Sequence, residues 1–307
     1  MARKVTIQTL QRKKDCGEPI TMITAYDYPT ALLVDRAGID MILVGDSLAM
    51  VVLGYENTLP VTMDVMIHHA QAVARGAKTP FLIGDMPFGA YEVTPEEAVR
   101  NAVRFLKEGG MDAVKLEGGR EMVDVIRAIV AAGIPVQGHI GLTPQSISAL
   151  GGFRVQGKTA AAAQALLEDA LALQEAGCFS IVLEAVPAPV AEAVSKRLCI
   201  PTIGIGAGPG CDGQVLVFHD LVGLFDRFVP KFVKKYMNLA AEVEKGLVAY
   251  KEDVLNRRFP AEEHCYDMNE AELQAFLAAL ETGDQASATS ARQEQGEAIE
   301  GLYGGGS

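Results

Sequence analysis

Four acids close apolar runs in this chain, and that placement could do chemistry. Asp46 ends LVGD (43–46), Asp85 ends LIGD (82–85), Glu117 ends VKLE (114–117) and Glu184 ends IVLE (181–184). A strand buried on both faces is apolar throughout, so an acid inside one must be paired, protonated or bound to a cation. Singly, each could be a helix N-cap or a salt-bridged rim residue. Recurring at four run ends, they are read as converging on one site. Carboxylates gathered without a histidine or cysteine cluster form the oxygen-ligand pattern of magnesium or manganese. Lys115 precedes Glu117 by two residues and faces the same side of its strand. A lysine there is costly unless it meets an anion such as a substrate carboxylate; the alternative is a lysine snorkelling at a rim. His139 falls near the end of another run, PVQGHI (135–140), either as a site residue or as a satisfied core histidine.

The elements that must hold these residues read as eight short apolar runs: 20–25, 41–45, 80–85, 113–117, 135–140, 179–184, 201–206 and 214–218. Helical patterns separate most of them, at 29–37, 62–76, 95–108, 120–132, 159–176 and 187–198; no helix fits between the last two runs. Strands alternating with helices imply parallel crossovers, and eight in about 200 residues fit a closed (β/α)8 barrel better than an open sheet. In that fold active sites lie at the C-terminal strand ends, where all four acids stand. Residues 5–14 are expected to form a short helix under the barrel floor. A helical extension is expected over 230–255, from Phe232, Tyr236, Leu239, Val243, Leu247 and Tyr250, and another over 269–282 capped by Asn269. The catalytic domain is read as 1–267. Residues 268–307 form an acidic tail, with seven acids against one base, and from 283 its composition predicts disorder.

A formal net charge of −12 argues against nucleic acid or an anionic membrane as the main partner. The five cysteines show no metal or disulfide spacing, and no secretory or membrane-spanning run is visible, so a cytoplasmic location is expected. GFRVQGKT (152–159) matches the phosphate-cradling pattern G-x-x-x-x-G-K-[ST], but a serine-rich stretch precedes it instead of a buried strand. GIGAGPG (204–210) fails the dinucleotide pattern at Pro209.

Longer stretches carry a resemblance: TAYDYPTA (24–31), LVGDSLAMVVLGYENTLPVT (43–62), VKLEGG (114–119), GHIGLTPQS (138–146), GGFRVQGKT (151–159), LEAVP (183–187), IGIGAG (203–208), DGQVLVFHD (212–220) and FPAEEH (259–264). In order and spacing over residues 5–267, the chain resembles the ketopantoate (3-methyl-2-oxobutanoate) hydroxymethyltransferases. The resemblance implies a Mg2+-dependent barrel enzyme of pantothenate synthesis. Such an enzyme moves a one-carbon unit from 5,10-methylenetetrahydrofolate onto 3-methyl-2-oxobutanoate through an enolate. It implies that Asp46 and Asp85 bind the metal, with Glu117 completing the site directly or through water. It further implies that Ser47 and Lys115, with Asp46, Asp85 and His139, contact the keto acid and that Glu184 is the base. A large homo-oligomer, a decamer, is implied as well. A related barrel enzyme cleaving a carbon–carbon bond in another α-oxo acid would share the metal site, and a binding-only barrel would need its acids to be structural.

Overall fold

The computed structural model describes residues 3–146 and 155–283, with side chains to 280. Eight strands run in sequence: β1 Ile20–Thr24, β2 Met41–Val44, β3 Phe81–Asp85, β4 Ala113–Glu117, β5 Val136–Gly141, β6 Ser180–Glu184, β7 Thr202–Ile205 and β8 Gly213–Leu216. Every neighbouring pair is parallel and β8 returns to β1, closing the barrel in sequence order. This is the (β/α)8 architecture the strand–helix alternation predicts. Helices α1 Ile7–Asp15, α2 Tyr28–Arg36, α3 Leu48–Val51, α4 Met63–Gly76, α5 Pro95–Lys107, α6 Val123–Ala131, α7 Ala160–Ala176 and α8 Ala188–Arg197 precede or separate the strands. No helix separates β7 from β8, and α9 Phe218–Leu221, α10 Leu239–Leu255 and α11 Glu270–Gly283 follow.

Helix starts are set by side chains that accept the free N-terminal N–H groups. Asp27 accepts from Thr30 N, Thr62 from Val65 N, Thr94 from Glu97 N and Thr159 from Ala162 N. On each strand the side chains alternate. Ile20, Met22, Met41, Leu43, Phe81, Ile83, Ala113, Val182, Ile203 and Val215 fill the barrel interior, while residues such as Ile42, Leu82, Val114 and Ile181 meet the helices.

The floor is closed as expected. Leu10 of α1 is buried in the interior cluster, and Val5 and Ile7 pack beside it. Three lysines fasten this segment to acids before the strands: Lys4 to Asp112 at 2.7 Å, Lys13 to Asp40 at 2.6 Å and Lys14 to Asp212 at 2.7 Å. Each of these three acids therefore has a lysine of its own.

One expectation is corrected. The helix read over 230–255 begins only at Leu239. Backbone bonds from Tyr236 N to Leu221 O and from Leu239 N to Val222 O hold 236–239 as an irregular strap after β8, where a helix would have used those groups internally. The chain divides into two compact units at Glu242/Val243. Within the second, Phe259 makes edge contacts with Tyr250 and His264, and Asn269 caps α11 by accepting from Ala271 N and Glu272 N. The expected disorder beyond 283 and the 152–154 part of the phosphate-loop match lie outside the described residues. β5, the described strand that precedes the match, ends at Gly141, eleven residues before Gly152. Among the described residues no helix is long and apolar enough to cross a membrane.

Candidate active site

Alternation decides which polar side chains enter the barrel. Asp85 shares its inward face with Ile83, Lys115 and Glu117 share theirs with Ala113, and Glu184 shares its face with Val182. In register, Asp85 pairs with Lys115 and Glu117 with His139, which places the four on adjacent strands. Asp46 and Ser47 follow β2 after Gly45. All seven residues singled out in the sequence — Asp46, Ser47, Asp85, Lys115, Glu117, His139 and Glu184 — line one cavity of about 330 Å3. Gly141 holds the end of β5 tightly against β6. Its φ is +99°, and a Cβ there would lie 2.3 Å from Glu184 O.

Two sub-clusters share the cavity. In one, Lys115 Nζ donates to Asp85 Oδ1 at 2.6 Å, and Asp46 N donates to Asp85 Oδ2 at 3.2 Å. In the other, His139 bridges two acids, with Nδ1 3.2 Å from Glu117 Oε1 and Nε2 3.2 Å from Glu184 Oε2. Ser47 Oγ is 2.8 Å from Tyr26 OH.

Burial pushes the Asp85 carboxyl up to about 6, against the pull of Lys115 and with help from Asp46. Burial and the charge of Glu117 also raise Asp46 above the usual carboxylate range. For Lys115, burial works against the charged form, but Asp85, Glu117 and Asp46 outweigh it and leave the pKa raised. Burial and Lys115 press His139 down, and the flanking Glu117 and Glu184 more than compensate, holding it at about 9. The surrounding acids thus favour the charged forms of Lys115 and His139.

Sequence reasoning missed the residues that fix this geometry. Gln145 donates through Nε2 to Asp46 Oδ2 at 2.9 Å and to Met86 O at 3.0 Å, while its backbone N donates to Glu117 Oε2 at 3.0 Å. Tyr91 OH donates to Gln145 Oε1 at 2.6 Å and accepts from Glu117 N at 3.2 Å. Gln145 lies within GHIGLTPQS and was the one available signal; Tyr91 comes from a loop with no periodicity. Phe225, Phe228 and Phe232 wall the cavity after β8, and Asp220 adds a fifth carboxylate to its lining.

Comparison with known proteins identifies the family. The model of the family "Ketopantoate hydroxymethyltransferase" matches residues 4–262. The chain belongs to the ketopantoate hydroxymethyltransferase family. The 3-methyl-2-oxobutanoate hydroxymethyltransferase of Moorella thermoacetica is 59% identical over 263 residues, covering 86% of this chain and 98% of that one. A mitochondrial enzyme of the same name from Arabidopsis thaliana is 55% identical over 286 residues, covering 91% and 82%. Among solved structures, phosphoenolpyruvate phosphomutase from Streptomyces platensis subsp. rosaceus shares the fold at a TM-score of 0.56. It is 17% identical, covering 91% of this chain and 99% of that one.

Among the described residues no three His, Cys, Asp or Glu side chains form a ready metal cage. Asp46 and Asp85 are neighbours, linked by Asp46 N donating to Asp85 Oδ2, and each keeps one carboxylate oxygen outside its bond to Gln145 or Lys115. That donor set fits magnesium, which takes one or two carboxylates and fills its other positions with water and substrate oxygens.

Proposed function

We propose that this protein transfers a hydroxymethyl group from 5,10-methylenetetrahydrofolate to 3-methyl-2-oxobutanoate, giving 2-dehydropantoate. The observation that carries the reading is the division of one cavity between two walls. One wall offers Lys115 and the Asp46/Asp85 pair, and the other offers Glu184 held against His139.

The keto acid enters with its carboxylate toward the Lys115 ammonium and the Ser47 hydroxyl, which Tyr26 orients. Asp46 and Asp85 would hold magnesium, positioned by Gln145 and Lys115. When bound, the metal supplies Lewis-acid stabilisation of negative charge gathering on the keto oxygen. Glu184 takes the C3 proton, and the His139 imidazolium fixes the rotamer of that carboxylate while balancing Glu117 on its other side. Water adds to the folate-borne methylene carbon and breaks its bonds to the two nitrogens, releasing tetrahydrofolate and a formaldehyde-level carbon. The C3 nucleophile adds to that carbon, and the new alkoxide takes back the proton held by Glu184.

The same reading implies a homo-oligomer, a decamer. Leu247, Tyr250 and Leu255 of α10, 63%, 57% and 74% exposed, supply apolar surface of the kind subunits cover. The activity is tested by following 2-dehydropantoate formation with and without folate donor and EDTA. Product should need the donor and disappear with the chelator; product formed without folate contradicts the proposal.

A further inference from the structure

The proposed chemistry uses the β2–β6 side of the cavity and leaves the opposite side unassigned. Asp220 stands there. It follows β8, which is four strands from β4 in either direction around the closed barrel, so it lies across the mouth from Lys115 and Glu117. It is only 7% exposed yet lines the cavity, and among the described residues none donates a hydrogen bond or ion pair to its carboxylate. Burial pushes this carboxyl up to about 6, with Lys235 pulling the other way. Its oxygens are not sealed from solvent but open to the cavity with no donor among the described residues, so a ligand there would displace only water from them. A carboxylate in this state is set to receive N–H groups from a ligand.

The surrounding wall narrows the ligand class. Phe225, Phe228 and Phe232 line the same cavity, and Phe228 is 59% exposed although apolar. The glycine turn after β7 yields to this wall: Gly206 has φ +63°, and a Cβ there would meet the Phe232 ring at 2.6 Å. A keto acid offers oxygens and methyl groups but no N–H, and the Asp220 charge would repel its carboxylate. A flat heterocycle presenting two adjacent N–H groups fits both features, the aromatic faces and the two-oxygen acceptor.

We propose that Asp220 and these three phenylalanines form the subsite for the pterin ring of the folate donor. The carboxylate accepts from the ring N–H and the neighbouring exocyclic amine, while the phenylalanines pack on its faces. The placement sets the methylene-bearing nitrogens toward the keto acid across the cavity. It rests on the folate-dependent reading above.

The test is calorimetric titration of tetrahydrofolate into the full-length protein with Mg2+ and 3-methyl-2-oxobutanoate present, comparing wild type with Asp220→Asn. Asparagine keeps the size but turns an N–H donor toward the ligand's own donor. Losing a charged acceptor in a buried site should raise the tetrahydrofolate Kd roughly 10- to 150-fold. Exchange of the keto acid C3 proton with D2O, measured on the same samples, reports folding and the acid cluster independently of folate. The proposal requires the affinity loss to exceed any loss of exchange rate by at least about tenfold. A variant that binds tetrahydrofolate within twofold of wild type overturns it. So does exchange falling in step with affinity, which would place Asp220 with the acid cluster. Wild type that exchanges the proton but binds no tetrahydrofolate overturns both this subsite and the folate half of the reaction.

Discussion

Replacing Lys115 by Met would remove a charge while keeping a flexible chain of similar length. Lys115 and Asp85 have side chains 5% and 2% exposed and touch at 2.6 Å, so the variant leaves a carboxylate buried without its ammonium. Breaking a buried pair on one side costs about 3–5 kcal/mol. For a domain of this size that corresponds to a fall in melting temperature of roughly 10 °C. The cost must depend on pH. The Asp85 pKa, about 6, lies above the unfolded carboxylate value, so ionising it costs the fold stability as pH rises through that region. Lys115 offsets part of this cost in the wild type, and without it the pKa moves higher still. The deficit should therefore be largest at pH 8 and shrink toward pH 5.5 as Asp85 takes up a proton. Thermal melts of both proteins at the two pH values read this directly. A deficit below about 1 kcal/mol at pH 8, the range of an exposed pair, or one of equal size at both pH values, would refute the reasoning.

Asp85→Asn should abolish Mg2+ binding measured by calorimetry with keto acid present, and an affinity within threefold of wild type would contradict the metal assignment. Gln145→Leu strands Asp46 Oδ2, Met86 O and the Tyr91 hydroxyl; it should cost about 2–4 kcal/mol in denaturant unfolding and weaken Mg2+ binding as well. Light scattering should find a homo-oligomer that the combined Leu247→Ser, Tyr250→Ser and Leu255→Ser variant disrupts, whereas a monomeric wild type would dispose of the oligomer proposal.

The fold was legible because its signals are local. Apolar runs of strand length alternate with helices whose first N–H groups are met by Asp27, Thr62, Thr94 and Thr159, each a recognisable cap. The positions of Asp85, Glu117 and Glu184 were legible for a related reason: inward parity and strand-end placement are both properties of spacing. Asp46 lies two residues past β2 and out of parity with Leu43, so only its placement at a strand end was legible. What escaped depends on contacts between distant segments. Gln145 matters because a loop after β5 reaches Asp46, 99 residues away in sequence, and Tyr91 because its loop reaches Gln145. Phe232 and Tyr236 share the spacing of the helix that follows, so periodicity extended that helix too far. The backbone of 236–239 is taken instead by Leu221 and Val222, and Phe232 goes to the cavity wall.

The central claim is that Glu184 removes the C3 proton of a keto acid held by Lys115 and the Asp46/Asp85 pair. NMR can follow that proton in D2O with 3-methyl-2-oxobutanoate, Mg2+ and no folate. The wild type should exchange it, and exchange should stop when EDTA removes the metal. Glu184→Gln keeps the side chain's size and its proximity to His139 but lacks the basic oxygen; it should still bind the keto acid while exchanging about 10^2- to 10^4-fold more slowly. Exchange by Glu184→Gln at the wild-type rate would contradict the account.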